Sequence, residues 1–394
     1  MKKSPNLRFT EFSGEWEEKK LGELLELKNG INASKEQYGK GIKFINVLDI
    51  LNNNYITYDN IIGKVDIDQK TLENNFVEYG DVLFQRSSET REEVGTANVY
   101  LDKEKKAVFG GFVIRGKKIG EYEPIFINKI LKTPVARKEI TSRSGGSTRY
   151  NVGQEILKNI ELLFPSQIEQ QKIARFLSLI DKKIEKQQEK VKALEEYKKG
   201  IVKKIFLQEI RFKNENGVEY PEWKENQLGD IVAFFDNKRK PVKEQDRVNG
   251  KYAYYGATGI IDYINEYIFE GEYLLLGEDG ANIVTRNAPL IYKTSGKFWV
   301  NNHAHIFRPK EMYNIDYIKQ ILEIIDYVPY NTGTAQPKLN IESVKKIKIK
   351  TPVIDEQEKI AYFLSKVENK FNKEKEKLEQ LKELKKGLLQ QMFV

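Results

Sequence analysis

The sequence predicts an α+β fold in which two mixed α/β globules are separated by two long antiparallel coiled-coil helices, related as a pseudo-two-fold internal repeat. Three observations predict it. One helical phrase occurs twice, as EQQKIARFLS at Glu169–Ser178 and again, in the other half of the chain, as EQEKIAYFLS at Glu356–Ser365. Apolar residues recur at helical spacing after each copy. The stretches ahead of each copy are rich in glycine, tyrosine, asparagine and β-branched residues, as is typical of strands and loops.

The duplication extends beyond this phrase. Pro165 corresponds to Pro352 at the same sequence offset as the two copies of the phrase, whereas the segments that open the two halves, at Trp16 and Trp223, are related by a larger offset. The ends of the halves therefore correspond closely, while their middles differ in length and content. We predict a globule over residues 1–160, a long helix over 161–214, a second globule over 215–350 and a second long helix over 351–394.

Each long helix carries an apolar seam whose residues alternate in steps of three and four, as in a coiled coil. The first seam includes Ile173, Leu177, Ile180, Ile184, Val191 and Leu194, and the second includes Ile360, Leu364, Val367, Phe371, Leu378 and Leu381. Gln187 and Lys198 interrupt the first seam, and Glu374 and Lys385 interrupt the second at equivalent places. The matched interruptions favour an antiparallel pair within one chain. Packing of each seam on its own globule, or dimerisation with another chain, remains the alternative.

Within the globules, short apolar runs predict strands and two longer patterns predict helices. The predicted strands are Ile42–Val47, Val82–Phe84, Val108–Ile114, Tyr273–Leu276 and Leu290–Lys293, and the predicted helices are Pro124–Leu131 and Ile315–Ile325. These patterns leave the order of the strands in each sheet open.

The composition limits the class of protein and of partner. The net charge is +8, which favours a polyanionic partner, since lysine and arginine contacts to phosphate release counterions. The chain contains no cysteine, which agrees with a reducing compartment and excludes thiolate chemistry. No apolar run is long enough to cross a membrane, and no apolar segment follows the N-terminal lysines. We therefore expect a cytoplasmic protein with no membrane contact.

Motifs of catalysis are absent from the sequence. GxGxxG, GxSxG and HExxH do not occur. His303 and His305 could share one face of a strand and suit a metal, but with no obvious third ligand we expect a structural role for them. GFVIRGKK at Gly111–Lys118 has the glycine spacing of a phosphate loop but lacks its final Ser or Thr, and its apolar content suits a strand. We expect neither a catalytic residue nor a metal site.

Two polar loops, one just ahead of each long helix, are the best candidates for DNA contact. They are SRSGGSTRYNVG at Ser142–Gly153 and NTGTAQPKLN at Asn331–Asn340. Arg, Gln, Asn, Ser and Thr are the side chains that read base edges and hold phosphates. With two further polar segments, the candidates are Arg86, Ser87, Arg143, Ser147, Thr148, Arg149 and Asn151 in the first half, and Arg286, Thr334, Gln336, Lys338 and Asn340 in the second. The alternative for any single residue is an ordinary surface turn.

The layout resembles the specificity subunit of type I restriction–modification enzymes. The resemblance covers nearly the whole chain and is carried by W-x4-L-G opening each half, by P-x3-E-Q-x-K-I-A-x-F-L-S opening each helix, and by the Lys-Gly and Phe near each helix end. It implies two target-recognition domains that each read one half of a split DNA target. It also implies two helices that space the domains and serve as a platform for two modification subunits.

The resemblance further implies a chain without catalytic activity of its own. Two modification subunits would bind S-adenosylmethionine and methylate adenine, and motor-nuclease restriction subunits would use ATP and magnesium, so that this chain itself would bind none of these cofactors. An alternative from another class is a coiled-coil scaffold whose globules bind proteins and not a specific DNA sequence.

Overall fold

The chain forms two compact units, each of which combines one globule with parts of both long helices. The computed structural model describes residues 3–394. The first unit comprises the chain up to Glu189 together with Glu376–Val394, and the second comprises Lys190–Lys375. The units divide the long helices near their middles, and the predicted segment boundaries stay predictions.

In the first half of the chain, short strands and helices precede the first long helix, α7. The strands are β1 (Glu17–Lys20), β2 (Leu25–Asn29), β3 (Tyr38–Ile45), β4 (Lys64–Val65), β5 (Val82–Gln85), β6 (Ser87–Ser88), β7 (Ala97–Val99), β8 (Val108–Phe109), β9 (Val113–Lys118), β10 (Tyr150–Asn151) and β11 (Glu161–Phe164). The helices are α1 (Leu21–Leu24), α2 (Val47–Asn52), α3 (Gln69–Asn74), α4 (Pro124–Ile130), α5 (Pro134–Ser142), α6 (Gln154–Lys158) and α7 (Gln167–Phe206).

The second half repeats this plan and ends in α12. Its strands are β12 (Lys224–Gln227), β13 (Val232–Phe234), β14 (Asn249–Gly256), β15 (Gly259–Ile264), β16 (Phe269–Glu270), β17 (Tyr273–Gly277), β18 (Ile291–Thr294), β19 (Lys297–Val300), β20 (Ala304–Pro309) and β21 (Lys348–Thr351). Its helices are α8 (Leu228–Ile231), α9 (Asn282–Thr285), α10 (Ile315–Ile324), α11 (Ile341–Lys345) and α12 (Ile354–Met392).

The two globules share the topology of their central sheets, while their second sheets have three strands (β4-β3-β8) and four strands (β15-β14-β19-β16). The central antiparallel sheet has the order β2-β9-β5-β7 in the first unit and β13-β20-β17-β18 in the second. A parallel pair recurs as β3 with β8 and as β14 with β19. A short antiparallel pair, β1 with β11 and β12 with β21, joins the beginning of each globule to the strand that precedes its long helix. The duplication therefore includes the middles of the two halves, whose sequences have diverged.

One predicted strand is divided in the structure. The run Val108–Ile114 forms β8 and the start of β9, with a turn at Gly110–Phe112 between them. The backbone N–H of Val113 donates to the carbonyl of Gly110 at 2.8 Å, which closes this turn. A Cβ atom on Gly111 would lie 1.9 Å from Oδ1 of Asn32, so the turn leaves no room for a side chain there, and the apolar run serves two different strands.

Within each unit, residues of the two long helices pack together, with the beginning of one helix against the end of the other. Ile173 and Leu177 at the start of α7 share a core with Met392 and Phe393 at the end of the chain. In the second unit, Ile205 near the end of α7 belongs to one core with residues from the start of α12. Both cores also include residues of the adjoining globule, so packing between helices and packing on the globule occur together. All twelve predicted seam residues are buried or half-buried.

The interruptions of the seams are partly explained by ion pairs. In the first unit, the ammonium of Lys385 lies 2.7 Å from the carboxylate of Asp181. In the second unit, Lys198 pairs with Glu368. These two pairs occupy equivalent positions of the repeat, since Asp181 corresponds to Glu368, and Lys198 to Lys385, at the constant offset of the helices. A lysine within the seam is thus accompanied by an acid on the facing helix.

The repeated Glu-Gln of the opening phrase attaches each long helix to its globule. Glu169, which is 1 % exposed, binds the guanidinium of Arg8 at 2.7 Å, and Glu356, which is fully buried, binds that of Arg211 at 2.8 Å. In both cases the neighbouring carboxylate raises the pKa of the arginine. The phrase therefore acts through a buried ion pair at the entry of each helix.

The glutamine of the phrase makes the same two hydrogen bonds in each unit. The amide nitrogens of Gln170 and Gln357 donate to the carbonyls of Pro165 and Pro352, both at 2.9 Å. Their oxygens accept from the backbone N–H groups of the residues that cap α4 and α10, at 3.1 and 2.9 Å. Each buried amide thus joins the helix, the preceding proline and a helix of the globule.

Candidate DNA-recognition surfaces

The loop ahead of α7 forms a narrow hairpin over residues 145–151. The backbones of Gly145 and Asn151 exchange two hydrogen bonds of 3.0 and 2.8 Å. Gly146 adopts a φ of +112°, and a Cβ atom at this position would lie 2.1 Å from the carbonyl oxygen of Arg149. Only glycine fits this turn. The hairpin exposes Ser147, Thr148 and Arg149 at its tip.

The hairpin is paired with the segment that follows β5. Strand β10 pairs with β6, so that Asn151 lies opposite Ser87, and the N–H of Val152 donates to the carbonyl of Arg86 at 3.0 Å. These bonds bring Arg86 and Ser87 next to the hairpin that carries Arg149 and Asn151, and Ser87 and Arg149 line one cleft. Arg86 and Arg149 are both exposed, and Arg149 makes only a loose ion pair of 4.0 Å with Glu89. The surface can therefore offer two guanidinium groups to a polyanion.

Arg143 does not belong to this group. It caps the C-terminal end of α5, where it donates to the carbonyl of Asn159 at 2.9 Å and pairs with Glu139. These contacts commit its guanidinium to the stability of the helix end.

Two exposed apolar residues beside the hairpin were not among the sequence candidates. Leu48 and Phe112 are each 64 % exposed, and they border a cleft of about 510 Å³ that Ser87 and Arg149 also line. Gln85 lies in the same cleft, 4 % exposed, and its side-chain oxygen accepts no hydrogen bond from the described residues. The sequence Gly-Gly-Phe at residues 110–112 could have indicated this exposed aromatic residue, since paired glycines mark a turn and the phenylalanine follows them directly.

The loop ahead of α12 forms a similar hairpin, in which one backbone hydrogen bond is the exact counterpart of a bond in the first hairpin. The N–H of Thr332 donates to the carbonyl of Lys338 at 2.8 Å, which matches the bond from Gly145 to Asn151 at the constant offset of the repeat. A Cβ atom on Gly333 would lie 1.9 Å from the carbonyl of Gln336. Thr334 and Gln336 are exposed at the tip. The two units thus present different side chains on related hairpins, although the N–H of Lys338 donates to the Asn331 side chain and not to the backbone of Thr332.

The segment that pairs with each hairpin carries an arginine in the first unit and a glutamate at the equivalent position in the second. The N–H of Leu339 donates to the carbonyl of Glu278 at 2.7 Å, so Glu278 occupies the place of Arg86. The Glu278 carboxylate lies 3.3 Å from the ammonium of Lys338 and 2.6 Å from the guanidinium of Arg239. The charge of Lys338 is therefore partly compensated, although its side chain is 52 % exposed.

The remaining candidates of the second half have intramolecular roles. Asn340 caps α11 by accepting the N–H of Ser343 at 2.8 Å. The guanidinium of Arg286 pairs with Glu323 at 2.9 Å and lies over the ring of Tyr327. The structure therefore brings Thr334, Gln336 and Lys338 together on one hairpin, whereas the side chains of Arg286 and Asn340 make contacts within the protein.

The two histidines lie below the second hairpin. His305 is buried, with Nδ1 at 2.6 Å from the carboxylate of Asp236 and Nε2 at 2.8 Å from the carbonyl of Leu339. Nδ1 of His303 lies 2.6 Å from the carboxylate of Asp279. His305 thus connects the core of the globule to the base of the hairpin. Among residues 3–394, no group of three or more His, Asp or Glu side chains is arranged to hold a metal ion.

A duplicated α+β chain with one hairpin ahead of each long helix in the sequence defines the class of protein. The family of type I restriction modification DNA specificity domains matches residues 13–196 and 220–383. The chain therefore belongs to this family, with two specificity domains. Within residues 3–394, no helix combines the length and apolarity needed to cross a membrane.

Individual relatives agree with this assignment. The chain is 36 % identical over 143 residues to a putative type I restriction enzyme specificity subunit of Haemophilus influenzae, a match that spans 36 % of each chain. It is 23 % identical to the putative MjaX specificity subunit of Methanocaldococcus jannaschii, over 98 % of this chain and 95 % of the relative. A crystal structure of the S subunit from M. genitalium covers 99 % of both chains with a TM-score of 0.64 at 17 % identity, which shows the shared fold.

Proposed function

We propose that this chain is the DNA-reading subunit of a type I restriction–modification complex, and that each globule reads one half of a split target. The observation that carries the proposal is the repeated hairpin. One backbone presents Arg149 and Asn151 in the first unit and Gln336 and Lys338 in the second. A constant frame with variable side chains suits recognition of two unlike sequences by one fold.

The chemistry of the hairpins supports contact with base edges. Arginine suits guanine and glutamine suits adenine, because each can form two hydrogen bonds with that base in the major groove. Arg86 and Arg149 can in addition pair with phosphates, which supplies affinity that depends on salt. Leu48 and Phe112 offer apolar contact to thymine methyl groups or sugars.

The long helices would set the spacing of the two readers and bind two modification subunits. The support is their near-two-fold relation, with matched seams, matched ion pairs and matched Glu-Gln phrases, since a two-fold frame suits two copies of one partner. The modification subunits would carry S-adenosylmethionine and methylate adenine, and restriction subunits would use ATP and magnesium. This chain would contribute no catalytic group and would act in the cytoplasm on double-stranded DNA.

Methylation mapping tests this proposal. The chain is co-expressed with its modification subunits in a strain that lacks other methyltransferases, and the methylated positions of the genome are read. A two-part motif that disappears when this chain is omitted is the expected result. Methylation that is absent, or that does not depend on this chain, would overturn the proposal.

The competing function is a coiled-coil scaffold whose globules bind proteins. Binding of short duplexes as a function of salt separates the two functions. Affinity that falls steeply with salt indicates phosphate contacts, whereas undetectable binding by the assembled complex favours the scaffold.

A further inference from the structure

A basic loop connects β13 to β14 in the second unit. Residues 235–248 contain five Lys or Arg and three Asp or Glu residues, for a net charge of +2. Four of the five cations fall within KRKPVK at Lys238–Lys243, which contains no acid. Such a local concentration is the electrostatic footprint expected of a surface that binds a polyanion.

The backbone of this basic loop is held against the globule. The indole N–H of Trp299 donates to the carbonyl of Lys240 at 2.6 Å, and the N–H of Lys240 donates to the carbonyl of Val300 at 3.2 Å. The N–H of Val242 donates to the hydroxyl of Tyr254 at 2.9 Å. These bonds fix the positions from which the lysine side chains extend, which lowers the entropy that binding has to overcome.

The cations of the basic loop fall into two groups. Arg239 and Arg247 are engaged within the protein, the first with Glu278 at 2.6 Å and the second with Asp262 at 3.3 Å. Lys238, Lys240 and Lys243 are exposed, and within residues 3–394 no carboxylate lies within 4.0 Å of their ammonium groups. Their charges are therefore available to an external partner.

One carboxylate connects the basic loop to the second hairpin. Arg239 binds one oxygen of Glu278, and Lys338 binds the other. The loop therefore begins beside the hairpin that exposes Thr334 and Gln336. Lys238 and Lys240 are the chain neighbours of Arg239, so the lysine cluster starts where the loop meets this hairpin.

The first unit differs at the topologically equivalent place. Its connection between β2 and β3, residues 30–37, contains one lysine and one glutamate. In that unit the exposed cations near the hairpin include Arg86 and Arg149, whereas Glu278 replaces Arg86 in the second. The two units thus carry positive charge on different segments around the same hairpin.

We propose that Lys238, Lys240 and Lys243 form a phosphate-binding surface that holds the DNA backbone beside the second half-target. The inference rests on the proposed function and adds the residues that supply affinity without reading sequence. Ammonium groups on a fixed loop suit phosphates, which position a duplex but carry no sequence information. The lysines would strengthen binding to every sequence equally, while the hairpin would select among sequences.

The test is the salt dependence of duplex binding by the full chain, assembled with its modification subunits. The triple variant Lys238→Ala/Lys240→Ala/Lys243→Ala is compared with the parent on a duplex of arbitrary sequence and on one carrying the mapped target. If each lysine contacts one phosphate, the slope of log K against log salt decreases by about 0.9 per lysine, or roughly 3 in total. Affinity should fall by the same factor on both duplexes, and the methylated motif should stay unchanged.

A matched control removes the same charge elsewhere in the second unit. Lys224, Lys346 and Lys350 are exposed residues of β12, of the end of α11 and of β21. Their triple alanine variant should retain the parental slope, and a Lys→Arg version of the basic loop should retain it as well.

Three results would overturn the inference and leave the proposed function intact. The first is a basic-loop variant whose salt slope equals that of the parent. The second is an equal loss of slope in the control variant, which would indicate a general effect of net charge. The third is a loss of subunit assembly with an unchanged slope, which would show that the loop binds a protein partner. A parent that binds no duplex and yields no split motif would overturn both proposals.

Discussion

Lys129 and Asp181 form an ion pair whose side chains are 3 % and 5 % exposed, and this pair connects the first globule to the long helices. Lys129 lies on α4 and Asp181 on α7. The same carboxylate binds Lys385 of α12 at 2.7 Å and accepts from the hydroxyl of Tyr55 at 2.9 Å. Burial alone would raise the pKa of Asp181, but the two lysines outweigh it and lower this pKa. One acid therefore joins three elements of the first unit.

Replacing Asp181 by asparagine should destabilise the first unit strongly. The substitution keeps the shape of the side chain but leaves Lys129 buried without a counter-charge, which costs about 3–5 kcal/mol when one partner of a buried pair is lost. Thermal or urea unfolding measures the loss. Glu185→Gln, on an exposed position of the same helix, is the control. A loss of similar size in both variants would show that the pair contributes nothing particular.

Lys132 should make the stability of the first unit depend on pH. Burial, with a smaller contribution from Lys129 and Lys385, lowers the pKa of Lys132 to about 7. Its pKa in the unfolded chain is roughly 10.4. Below pH 7, Lys132 is charged in both states, and the folded state carries the full cost of desolvating its ammonium. Between the two pKa values, Lys132 is protonated only in the unfolded state. Stability from this group therefore increases as the pH rises from about 7 toward 10.

The variant Lys132→Met tests this dependence, because methionine has no proton to lose. It should unfold at a higher temperature than the parent near pH 6, and the difference should shrink as the pH rises. Lys138→Met, at an exposed position of α5, should show no such trend relative to the parent. A constant difference between the Lys132 variant and the parent across the pH range would contradict the prediction.

Gly146→Ala should damage recognition of one half of the target and spare the fold. The new Cβ would meet the carbonyl of Arg149 at 2.1 Å, and the φ of +112° is unfavourable for alanine. The hairpin must therefore change shape and displace Arg149 and Asn151. The neighbouring Gly145→Ala places its Cβ in open space and is the matched control.

Methylation of the split motif in co-expressing cells measures the effect of both glycine variants. The Gly146 variant should methylate the motif at least tenfold less or relax one half of it, whereas the Gly145 variant should resemble the parent. Equal methylation by the two variants would remove this hairpin from the reading surface.

Glu356→Gln should weaken the attachment of α12 to the second globule. Its carboxylate, fully buried, binds Arg211 at 2.8 Å and accepts the indole N–H of Trp223 at 3.1 Å. The amide keeps one acceptor but removes the charge that Arg211 requires, for a loss of about 2 kcal/mol. The exposed neighbour Glu358→Gln provides the comparison in an unfolding experiment. An unaltered unfolding midpoint for the Glu356 variant would argue against this role.

Much of the fold could be predicted because its signals are local or repeated. The seams follow from the three–four spacing of residues such as Leu177 and Leu364, which one turn of helix brings to the same side. The strand runs at Val82 and Tyr273 follow from β-branched and aromatic content. The one divided run, at residues 108–114, depended on a turn whose glycines are visible in sequence but whose position is set by the packing of two sheets.

The candidate sites were less predictable, because exposure and partnership are decided by residues far away in sequence. Arg149 and Arg286 are the same residue type, and both lie in polar segments of the sequence. Arg149 extends from a hairpin tip, whereas Arg286 pairs with Glu323, which lies on α10. Asn151 and Asn340 differ in the same way, since one lies on a paired strand and the other caps α11. No local pattern around these residues distinguishes the two outcomes.

The amino-acid sequence is sufficient to establish the duplication, the two long helices with their seams, and the family, because each rests on periodicity or on identity at a constant offset. Folding in three dimensions adds the pairing of each pre-helix hairpin with the segment behind the central strand. That pairing places Arg86 beneath one hairpin and Glu278 beneath the other. The physical reason is that such contacts join residues far apart in the sequence, Arg86 with Val152 and Glu278 with Leu339. Their geometry therefore depends on the assembled sheet and not on any local preference of the chain.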